Sequence, residues 1–301
     1  MRSSMRSLTA EGAALARAVA VHDKDSWLRG PDHLVVHLLS PSRRAVATIP
    51  ALRALAGAAY ELAVPGMYVF HCVRTGHFDD IFVNRIEAGV RQIVILGAGL
   101  DTRAYRFAHR LRDARIFEVD HPRTAAWKQQ RLRQALPWVP DNVVYVSVDF
   151  EVDSLPERLA AAGFDPAQRT FFLWEGVMMY LKPETVDDTL AFLTTTAPGS
   201  SLAFEYLYAD AFRRPEHYFG ATRLFRYVAA RGEPFLSGID PDGMDDFLAA
   251  RGMRTLSHVR AQDFARMHLE RRDWTPRRRM IDFWGAVHAE IVAPFRPAHA
   301  G

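Results

Sequence analysis

Short apolar runs of β type alternate with longer amphipathic stretches in the part of the chain that follows residue 91. Such an alternation of two hydrophobic periods predicts strands that are separated by helices. The predicted strands cover residues 93–96, 115–119, 143–148, 170–174 and 201–207. Because alternating strands and helices form parallel sheets through right-handed crossovers, the pattern predicts an α/β fold.

Helical patterns dominate the rest of the chain. Residues 9–88 are Ala-rich and irregular and are interrupted by prolines, which predicts a helical cover over residues 1–88 and an α/β domain over residues 89–301. Within that domain, start and stop residues predict helices over 185–195 and 241–250.

Residues 208–238 form a long insertion after the fifth predicted strand. The stretch is aromatic and charged and has no clear period. Insertions of this kind often carry binding functions, so a lid or a substrate wall is one interpretation. The alternative is a helical excursion that only covers the sheet.

Composition changes this picture little. The chain has 301 residues, of which 49% are hydrophobic, and this fits one large α/β domain with an appended helical part. The formal charge is only +3, and five arginines gather between residues 271 and 279. A solvated loop or an anion-facing surface explains that cluster better than a nucleic-acid groove does.

Cys72 is the only cysteine, so the chain has no intrachain disulfide and no Cys-based zinc cluster. We predict that it is a small buried apolar residue. The first residues lack a signal-peptide pattern, and no run of about twenty apolar residues occurs. These features predict a soluble cytoplasmic protein with no membrane segment and no resident metal.

The apolar run that ends near residue 96 is the most informative stretch of the chain. It is followed at once by Gly97-Ala98-Gly99, and two closely spaced glycines allow a ligand to lie against the backbone of the turn. A dinucleotide-binding motif would have Gly or Ala at the position of Thr102. The glycines alone therefore leave two interpretations, a nucleotide-binding loop and an ordinary tight turn.

Acidic residues follow the other predicted strands. Glu118 and Asp120 have the spacing from the glycine turn that is typical of a ribose-binding acid, and alternation along the strand favours Asp120. Asp149-Phe150 follows the third strand and suits an adenine ring, and Glu175 follows the fourth. Each acid alone could be a helix cap. Together, at one edge of a parallel sheet, they predict an adenosine-binding site.

Four motifs in this order resemble the leucine carboxyl methyltransferase family. They are Ile-Leu-Gly-Ala-Gly-Leu-Asp-Thr-Arg-Ala-Tyr-Arg at 95–106, Phe-Glu-Val-Asp-His-Pro at 117–122, Val-Asp-Phe at 148–150 and Trp-Glu-Gly-Val-Met-Met-Tyr-Leu at 174–181. The similarity extends from about residue 65 to near the C-terminus. It is greatest to the bacterial branch, which includes a polyketide O-methyltransferase and mycobacterial members.

The resemblance implies a class I methyltransferase fold. Such a fold is Rossmann-like, with a seven-stranded, mostly parallel sheet whose last strand is antiparallel, and we expect that strand over residues 280–291. The resemblance also implies S-adenosylmethionine as the methyl donor and S-adenosylhomocysteine as the product.

Arg74 is implied to bind the carboxylate of the donor, a task that suits a planar guanidinium. By the same resemblance Asp120 holds the ribose, Asp149 with Phe150 holds adenine, and Glu175 meets the ammonium or sulfonium end. Neighbouring residues complete the expected donor site: Thr75, Gly97, Ala98, Gly99, Asp101, Glu118, His121 and Gly176.

The acceptor is predicted to be a small molecule with a carboxylate or hydroxyl oxygen, such as a polyketide acid of secondary metabolism. A carboxylate, with a reference pKa of about 4, needs no general base at neutral pH, whereas a phenol or an alcohol must lose a proton. The candidate bases are His71, His77, Glu205 and His217, each of which also has a structural interpretation.

Two other functions stay open. An NAD-dependent oxidoreductase would share the glycine turn and the ribose acid, but Thr102 and the lack of a Tyr-x-x-x-Lys motif argue against it. A non-catalytic adenosine-binding module that contacts nucleic acid through the C-terminal arginines is the second alternative. The sequence does not predict the oligomeric state.

Overall fold

The computed structural model describes residues 8–26, 28–149, 152–264, 266 and 279–297. Within these ranges seven strands form one sheet. The strands are β1 Gln92–Leu96, β2 Arg115–Asp120, β3 Val143–Ser147, β4 Thr170–Trp174, β5 Ser201–Leu207, β6 Met253–Arg260 and β7 Trp284–Ile291. Their order across the sheet is β3-β2-β1-β4-β5-β7-β6.

The first five strands pair in parallel, and β7 is antiparallel to both of its neighbours, β5 and β6. The predicted α/β fold with an antiparallel last strand is therefore confirmed. Because β1 lies between β2 and β4, the strand order reverses at β1. A reversal of this kind opens a crevice at the carboxyl ends of the strands, which is where ligands bind in such sheets.

Helices precede the sheet and cover both of its faces. Those before β1 are α1 Leu8–Ala20, α2 Val35–Leu38, α3 Pro41–Thr48, α4 Pro50–Ala63 and α5 Met67–Glu87. Those after β1 are α6 Arg103–Arg106, α7 Pro122–Ala135, α8 Leu155–Ala161, α9 Pro183–Leu193, α10 Ala209–Arg213, α11 Ala221–Ala229, α12 Met244–Ala249 and α13 Ala261–Phe264, with short 3-10 helices at Ala108–Arg110, Met178–Tyr180 and Pro215–His217.

The predicted strands were right where every position is buried and most are apolar, as in β1 and β4. The sequence pattern did not reveal β6, because this edge strand carries polar, mostly half-buried residues. The last strand begins at Trp284 rather than at residue 280. The helix predicted from residue 241 begins at Met244, and β3 ends at Ser147, one residue early.

The helical cover packs onto the sheet through α5, which buries most of its length. A break at Ile49, whose ψ of 117° is extended, separates α3 from α4 because Pro50 disfavours helical backbone at the residue before it. Apolar side chains of the cover and of the sheet belong to one hydrophobic core, which includes Cys72. The domain boundary at residue 88 stays a prediction.

The insertion after β5 is helical and lies against the segment that follows β4. The N–H of Leu236 donates to the Met179 carbonyl at 2.7 Å, and the Ser237 hydroxyl donates to the Met178 carbonyl at 3.0 Å. Aromatic rings of the insertion largely pack on one another, as Phe225 does on Phe235 at 5.5 Å between ring centroids. Across the described residues, none of the helices has the length and apolar character to cross a membrane.

Replacing Gly97 by alanine tests the turn that follows β1. The new Cβ would lie 2.3 Å from Cγ2 of Val177, and alanine would have to adopt a φ of +66°. We expect the free energy of unfolding to fall by roughly 2–5 kcal/mol, from left-handed strain together with overpacking. Urea denaturation measures the loss.

Gly232 provides the matched control. Its φ is +75°, but a Cβ there would meet nothing within 4 Å, so Gly232→Ala carries backbone strain alone. Its expected cost is about 1–2 kcal/mol. Equal losses in the two variants would show that the contact with Val177 does not constrain the turn.

Candidate active site

The glycine turn and the end of β2 meet at the carboxyl edge of the sheet. Gly97 and Gly99 have φ values of +66° and +43°, in the region that favours glycine. The N–H of Gly99 donates to Oδ2 of Asp120, and the N–H of His121 donates to Oδ1 at 2.6 Å. Burial raises the pKa of Asp120 although both backbone groups oppose the shift.

The turn between the two glycines is held by its own backbone. The N–H of Ala98 donates to the Val119 carbonyl at 2.9 Å, and the N–H of Asp101 donates to the Ala98 carbonyl at 2.7 Å. The Asp101 carboxylate in turn accepts from the N–H of Arg103 at 2.7 Å. The structure therefore brings Asp101 to the edge as a cap on the start of α6.

Asp149 lies beside the end of β2. Its Oδ2 is 3.8 Å from Nε2 of His121, and the two side chains remain 29% and 28% exposed. The N–H of Val148 donates to the Asp120 carbonyl at 2.9 Å, which aligns the two strand ends. These residues form an accessible polar corner. Phe150, the predicted adenine contact, lies outside the described residues.

Arg74 on α5 is buried between two acids at the ends of β4 and β5. Its Nη1 donates to Oε1 of Glu205 at 2.6 Å, and its Nε lies 2.9 Å from Oε1 of Glu175. The N–H of Gly176 donates to the same Glu205 oxygen at 3.0 Å. The adjacent Thr75 hydroxyl donates to a carbonyl of its own helix, at 2.7 Å. Arg74, Glu175, Gly176 and Glu205 thus form one buried cluster.

A second arginine extends this cluster towards the cover. Arg103 forms ion pairs with Asp101, with Asp79 at 2.7 Å and with Glu175 at 2.7 Å. Arg106 binds the other oxygen of Asp79, also at 2.7 Å. A chain of buried charges therefore connects α5, α6 and the end of β4.

The network continues into the first helix. Nε of Arg106 is 3.6 Å from Asp32, and Nε of Arg17 on α1 is 3.6 Å from the same carboxylate. The Thr102 hydroxyl also donates to Asp32, at 2.6 Å. Thr102, which replaces the third glycine of a dinucleotide motif, thereby ties the glycine turn to the helical cover.

We refer to these charged side chains together as the buried ion network. Its four cations and five anions are Arg17, Arg74, Arg103, Arg106, Asp32, Asp79, Asp101, Glu175 and Glu205. Burial opposes ionisation of Asp101, but Arg103 and Lys128 hold its pKa at about 2. Burial together with Glu175 raises the pKa of Glu205 to about 7, against the effect of Arg74. Glu205 therefore carries the excess negative charge least readily.

The network also contains buried polar atoms that lack a hydrogen-bond partner within the described chain. Apart from atoms that are engaged in ion pairs, these are Nη2 of Arg103 and Oε2 of Glu205. Unsatisfied buried polar atoms are uncommon in proteins and often mark the place of a bound polar group. The Arg103 guanidinium can donate to a carboxylate here, and the Glu205 carboxylate can accept from an ammonium group.

The four candidate bases lie in different places. His71 is buried, with Nε2 3.2 Å from the Tyr60 hydroxyl, and burial together with Arg74 lowers its pKa well below the usual value. The ring of His77 packs edge-on against Phe264 at 4.8 Å between centroids. His217 is 57% exposed in the insertion. Of the four, only Glu205 belongs to the buried cluster around Arg74.

Glu118 lies on the same strand as Asp120 but in the interior. Its Oε2 is 2.8 Å from Nζ of Lys128 and accepts from the Tyr105 hydroxyl at 3.1 Å. The carboxylate is therefore engaged by the protein itself, and its position favours a structural function. Its assignment to the donor site stays a prediction.

A groove of about 770 Å³ lies elsewhere, between α8, α9 and the C-terminal segment. Its walls are mostly apolar and include Phe164, Phe192 and Phe295. It contains none of the charged groups at the carboxyl edge of the sheet. Among the described residues, the charged side chains that suit a polar ligand therefore gather at the strand ends and not in this groove.

Comparison with known proteins identifies the family. The model of the leucine carboxyl methyltransferase family matches residues 10–194. A protein of Mycolicibacterium paratuberculosis, provisionally named an S-adenosyl-L-methionine-dependent methyltransferase, is 33% identical over 87% of this chain and 86% of its own length. The chain belongs to the leucine carboxyl methyltransferase family. It is accordingly a methyltransferase whose donor is S-adenosylmethionine.

Other relatives agree with this membership. A protein of Mycobacterium marinum with the same provisional name is 34% identical over 86% of this chain and 87% of its own length. One from Mycobacterium avium is 41% identical over 136 residues, which are 45% of this chain and 44% of that protein. The higher identity over a shorter stretch shows that similarity to that relative is concentrated in part of the chain.

Solved structures share the fold. A DUF574-family protein of Streptomyces avermitilis has a TM-score of 0.57 at 16% identity, with 93% of this chain and 97% of that chain covered. A structure from Thermobifida fusca, provisionally named a methyltransferase, has a TM-score of 0.54 at 17% identity and covers 93% and 94% of the two chains. At these identities the likeness supports a shared fold and nothing finer.

The site contains residues that sequence reasoning missed. Arg103 and Arg106 lie inside the first family motif, and Asp79 follows Arg74 by little more than one helical turn, so these three could have been suggested by position. Arg17 and Asp32 precede the sheet by many residues and gave no local signal. Only the folded chain brings them to the network.

Glu205→Gln tests whether this buried acid is protonated near neutral pH. Its pKa of about 7 in the folded chain exceeds the ordinary value of 4.5. Between these values the folded protein holds a proton that the unfolded chain has released, so this acid makes stability fall as pH rises from 4.5 to about 7. We expect the variant to lose this part of the pH dependence. Urea unfolding at about pH 5 and about pH 8 measures it.

Glu290→Gln is the control, because Glu290 pairs on the surface with the exposed Arg254. It should keep the wild-type difference in unfolding free energy between the two pH values. A Glu205→Gln variant with that same difference would show that Glu205 is ionised throughout.

Proposed function

We propose that the chain is an O-methyltransferase that transfers the methyl group of S-adenosylmethionine to a carboxylate oxygen of a small organic acid. The observation that carries the proposal is the buried cluster of Arg74, Glu175 and Glu205 beside the glycine turn. It offers charges of both signs for an amino-acid head group, within reach of the acid that suits a ribose, Asp120.

The residues of the carboxyl edge would hold the donor from end to end. Asp120 would accept from the ribose hydroxyls, and the polar corner of His121 and Asp149 would face the adenine. Arg74 would bind the carboxylate of the donor, and Glu175 its ammonium group. Gly97 lets Val177 pack directly against the turn, which would hold the turn in place beneath the ligand.

A carboxylate acceptor fits the chemistry of the surrounding groups better than a neutral hydroxyl. His71 is held neutral by burial and by Arg74, so it takes up a proton poorly. Glu205 has a suitable pKa, but the side chain is fully buried and its Oε1 is held by Arg74 and by Gly176. An acceptor that is already ionised needs neither residue as a base.

When bound, S-adenosylmethionine supplies a methyl group that is attached to a sulfonium, and transfer of that methyl group leaves a neutral thioether. The chain contributes mainly position and exclusion of water. The buried ion network fixes Arg74 and Glu175, and the cover and the insertion would exclude water from outside. A carboxylate held at this edge would receive the methyl group on one of its oxygens and leave as a methyl ester.

Asp120→Asn tests the ribose contact. The change removes a charge that would accept from two hydroxyls, and hydrogen bonds to charged groups contribute about 1.5–3 kcal/mol. We expect the dissociation constant of S-adenosylhomocysteine to rise about tenfold to a hundredfold, measured by titration calorimetry. Arg74 is a poorer first choice because its removal leaves two buried acids without a partner.

Asp141→Asn is the matched control. Asp141 is an exposed acid that directly precedes β3, so it lies at the amino-terminal ends of the parallel strands, away from the carboxyl edge. Its affinity for S-adenosylhomocysteine should equal that of the wild type. Unchanged affinity in Asp120→Asn would remove the ribose assignment. Thermal stabilisation by NAD, without any by S-adenosylhomocysteine, would contradict the donor itself.

The pH dependence of the rate distinguishes the two kinds of acceptor. For a carboxylate, kcat/KM should be nearly constant between about pH 6 and pH 9, since a group with a pKa of about 4 is ionised throughout. For a phenol without a general base it should rise about tenfold per pH unit towards a pKa of about 10. Transfer of a radiolabelled methyl group to a panel of organic acids and phenols provides the measurement. A steep rise for the best acceptor would contradict the carboxylate assignment.

A further inference from the structure

The exposed face of α4 is apolar. All exposed residues of this helix are alanine, leucine, glycine or proline, apart from Glu61, whose carboxylate accepts from the N–H of Gly66 at 2.9 Å. Leu55 and Leu62 lie two turns apart and are 71% and 72% exposed. Ile49, which precedes the helix, is 47% exposed. Single exposed leucines are common on protein surfaces, whereas a continuous apolar face marks a surface that meets another molecule.

The polar side chains of α4 lie largely on its other side. Arg53, Ala56 and Tyr60 are half-buried, and their spacing of three and four residues places them on the face that contacts the protein. Nη1 of Arg53 donates to the Ala47 carbonyl at 3.0 Å, and the Tyr60 hydroxyl lies 3.2 Å from Nε2 of His71. A surface helix normally has the reverse polarity, with its apolar residues inside. The inverted polarity of α4 indicates that its outer face is also a contact surface.

Arginines border this apolar face. Arg223 of α11 donates to the Leu62 carbonyl at 2.7 Å, and Arg226 follows it by three residues on the exposed side of α11. Arg226 donates to a carbonyl of its own helix at 3.2 Å. Together with Arg53 these residues supply three guanidinium groups that bond to carbonyls and, within the described chain, to no carboxylate. Their positive charge is therefore available to an anionic partner.

The charges favour an anionic partner over a second copy of this chain. A two-fold interface brings the same surface of both copies together. If two α4 helices packed antiparallel, Arg223 at the Leu62 end would approach Arg53 of the second copy. If they packed in parallel, Arg223 would approach the Arg223 of the second copy. Like charges meet in both arrangements, which opposes self-association through this face.

The shape of the face favours a lipid surface over an anionic protein. No residue of α4 is buried, so the helix stands out from the cover as a ridge. A protein partner would need a groove that matches this ridge, whereas lipid headgroups can separate around an apolar helix. With 14 residues, α4 is about 21 Å long, which is too short to cross a bilayer core of about 30 Å. Amphipathic helices of this kind lie in the plane of the membrane surface.

We propose that α4, together with Arg53, Arg223 and Arg226, docks the protein on the surface of an anionic lipid bilayer. Leu55 and Leu62 enter the boundary between headgroups and acyl chains, and the arginines bind lipid phosphates. This inference is independent of the acceptor that is methylated. Because α4 leads directly into α5, docking places the membrane on the side of the helical cover.

Co-sedimentation of the full-length protein with vesicles tests the proposal. One set of vesicles contains phosphatidylcholine alone, and the other contains equal parts of phosphatidylcholine and phosphatidylglycerol. We expect the protein to bind the anionic vesicles at least about tenfold more tightly, because each arginine near the surface adds to the attraction. Equal binding to both kinds of vesicle would overturn the proposal.

The double variant Leu55→Glu, Leu62→Glu removes apolar contact area and adds negative charge on the same face. We expect its affinity for the anionic vesicles to fall about a hundredfold or more, as two leucines no longer leave water. Leu256→Glu is the matched control, because Leu256 is an exposed leucine on the edge strand β6, and it should bind like the wild type. Both variants should bind S-adenosylhomocysteine normally, which shows that they are folded. Undiminished vesicle binding by the double variant would overturn the proposal.

Arg226→Gln changes the charge and keeps the apolar face. Its affinity for the anionic vesicles should fall about fivefold, while its binding to phosphatidylcholine alone should stay the same. An unchanged affinity for the anionic vesicles would remove Arg226 from the docking surface.

Sedimentation without lipid tests the competing occupant, a second copy. The oligomeric state should be the same for the wild type and for Leu55→Glu, Leu62→Glu. A wild-type dimer that becomes a monomer in this variant would assign the face to a second copy and overturn the lipid surface.

Discussion

The buried ion network fixes the geometry of the charged groups at the carboxyl edge of the sheet and connects the helical cover to that edge. Removing one partner of a buried ion pair typically costs about 3–5 kcal/mol, whereas replacing the whole pair by apolar side chains is often neutral. A network of this kind is therefore poorly explained as a device for stability alone. Its physical effect is to fix Arg74 and Glu175 in one geometry, with Arg103 buried between three acids. A site prepared in this way need not reorganise when it binds a zwitterionic head group.

The same network explains why the helical cover and the sheet share a core. Arg17 and Asp32 belong to the cover, Asp79 to α5 and Arg106 to the first turn after the glycines. Each of these charges is satisfied by a partner on another segment, so the correct packing of the cover is coupled to the geometry at the strand ends. Glu205 also has its partner on another segment, Arg74 of α5, although burial and Glu175 raise its pKa to about 7.

Much of the fold and of the candidate donor site could be predicted from the sequence because both predictions depend on local patterns. Strands β1 and β4 are buried at every position and mostly apolar, and Asp120 and Asp149 lie at or just beyond the ends of their strands. The edge strand β6 has no such pattern, because only part of it faces the core. Glu118 illustrates another limit, since its position along the strand resembles that of a ligand contact, but its charge is neutralised by Lys128.

The cover and the insertion depend on a different kind of information. They come from segments that are far apart in sequence, and their helices α4 and α11 carry no local signal for the contact between them. Only tertiary packing, through contacts such as Arg223 with Leu62, brings these two helices together. Neither helix contributes a strand, so side chains there can change without disturbing the sheet or the residues at its carboxyl edge. A separation of this kind allows one fold to serve different functions.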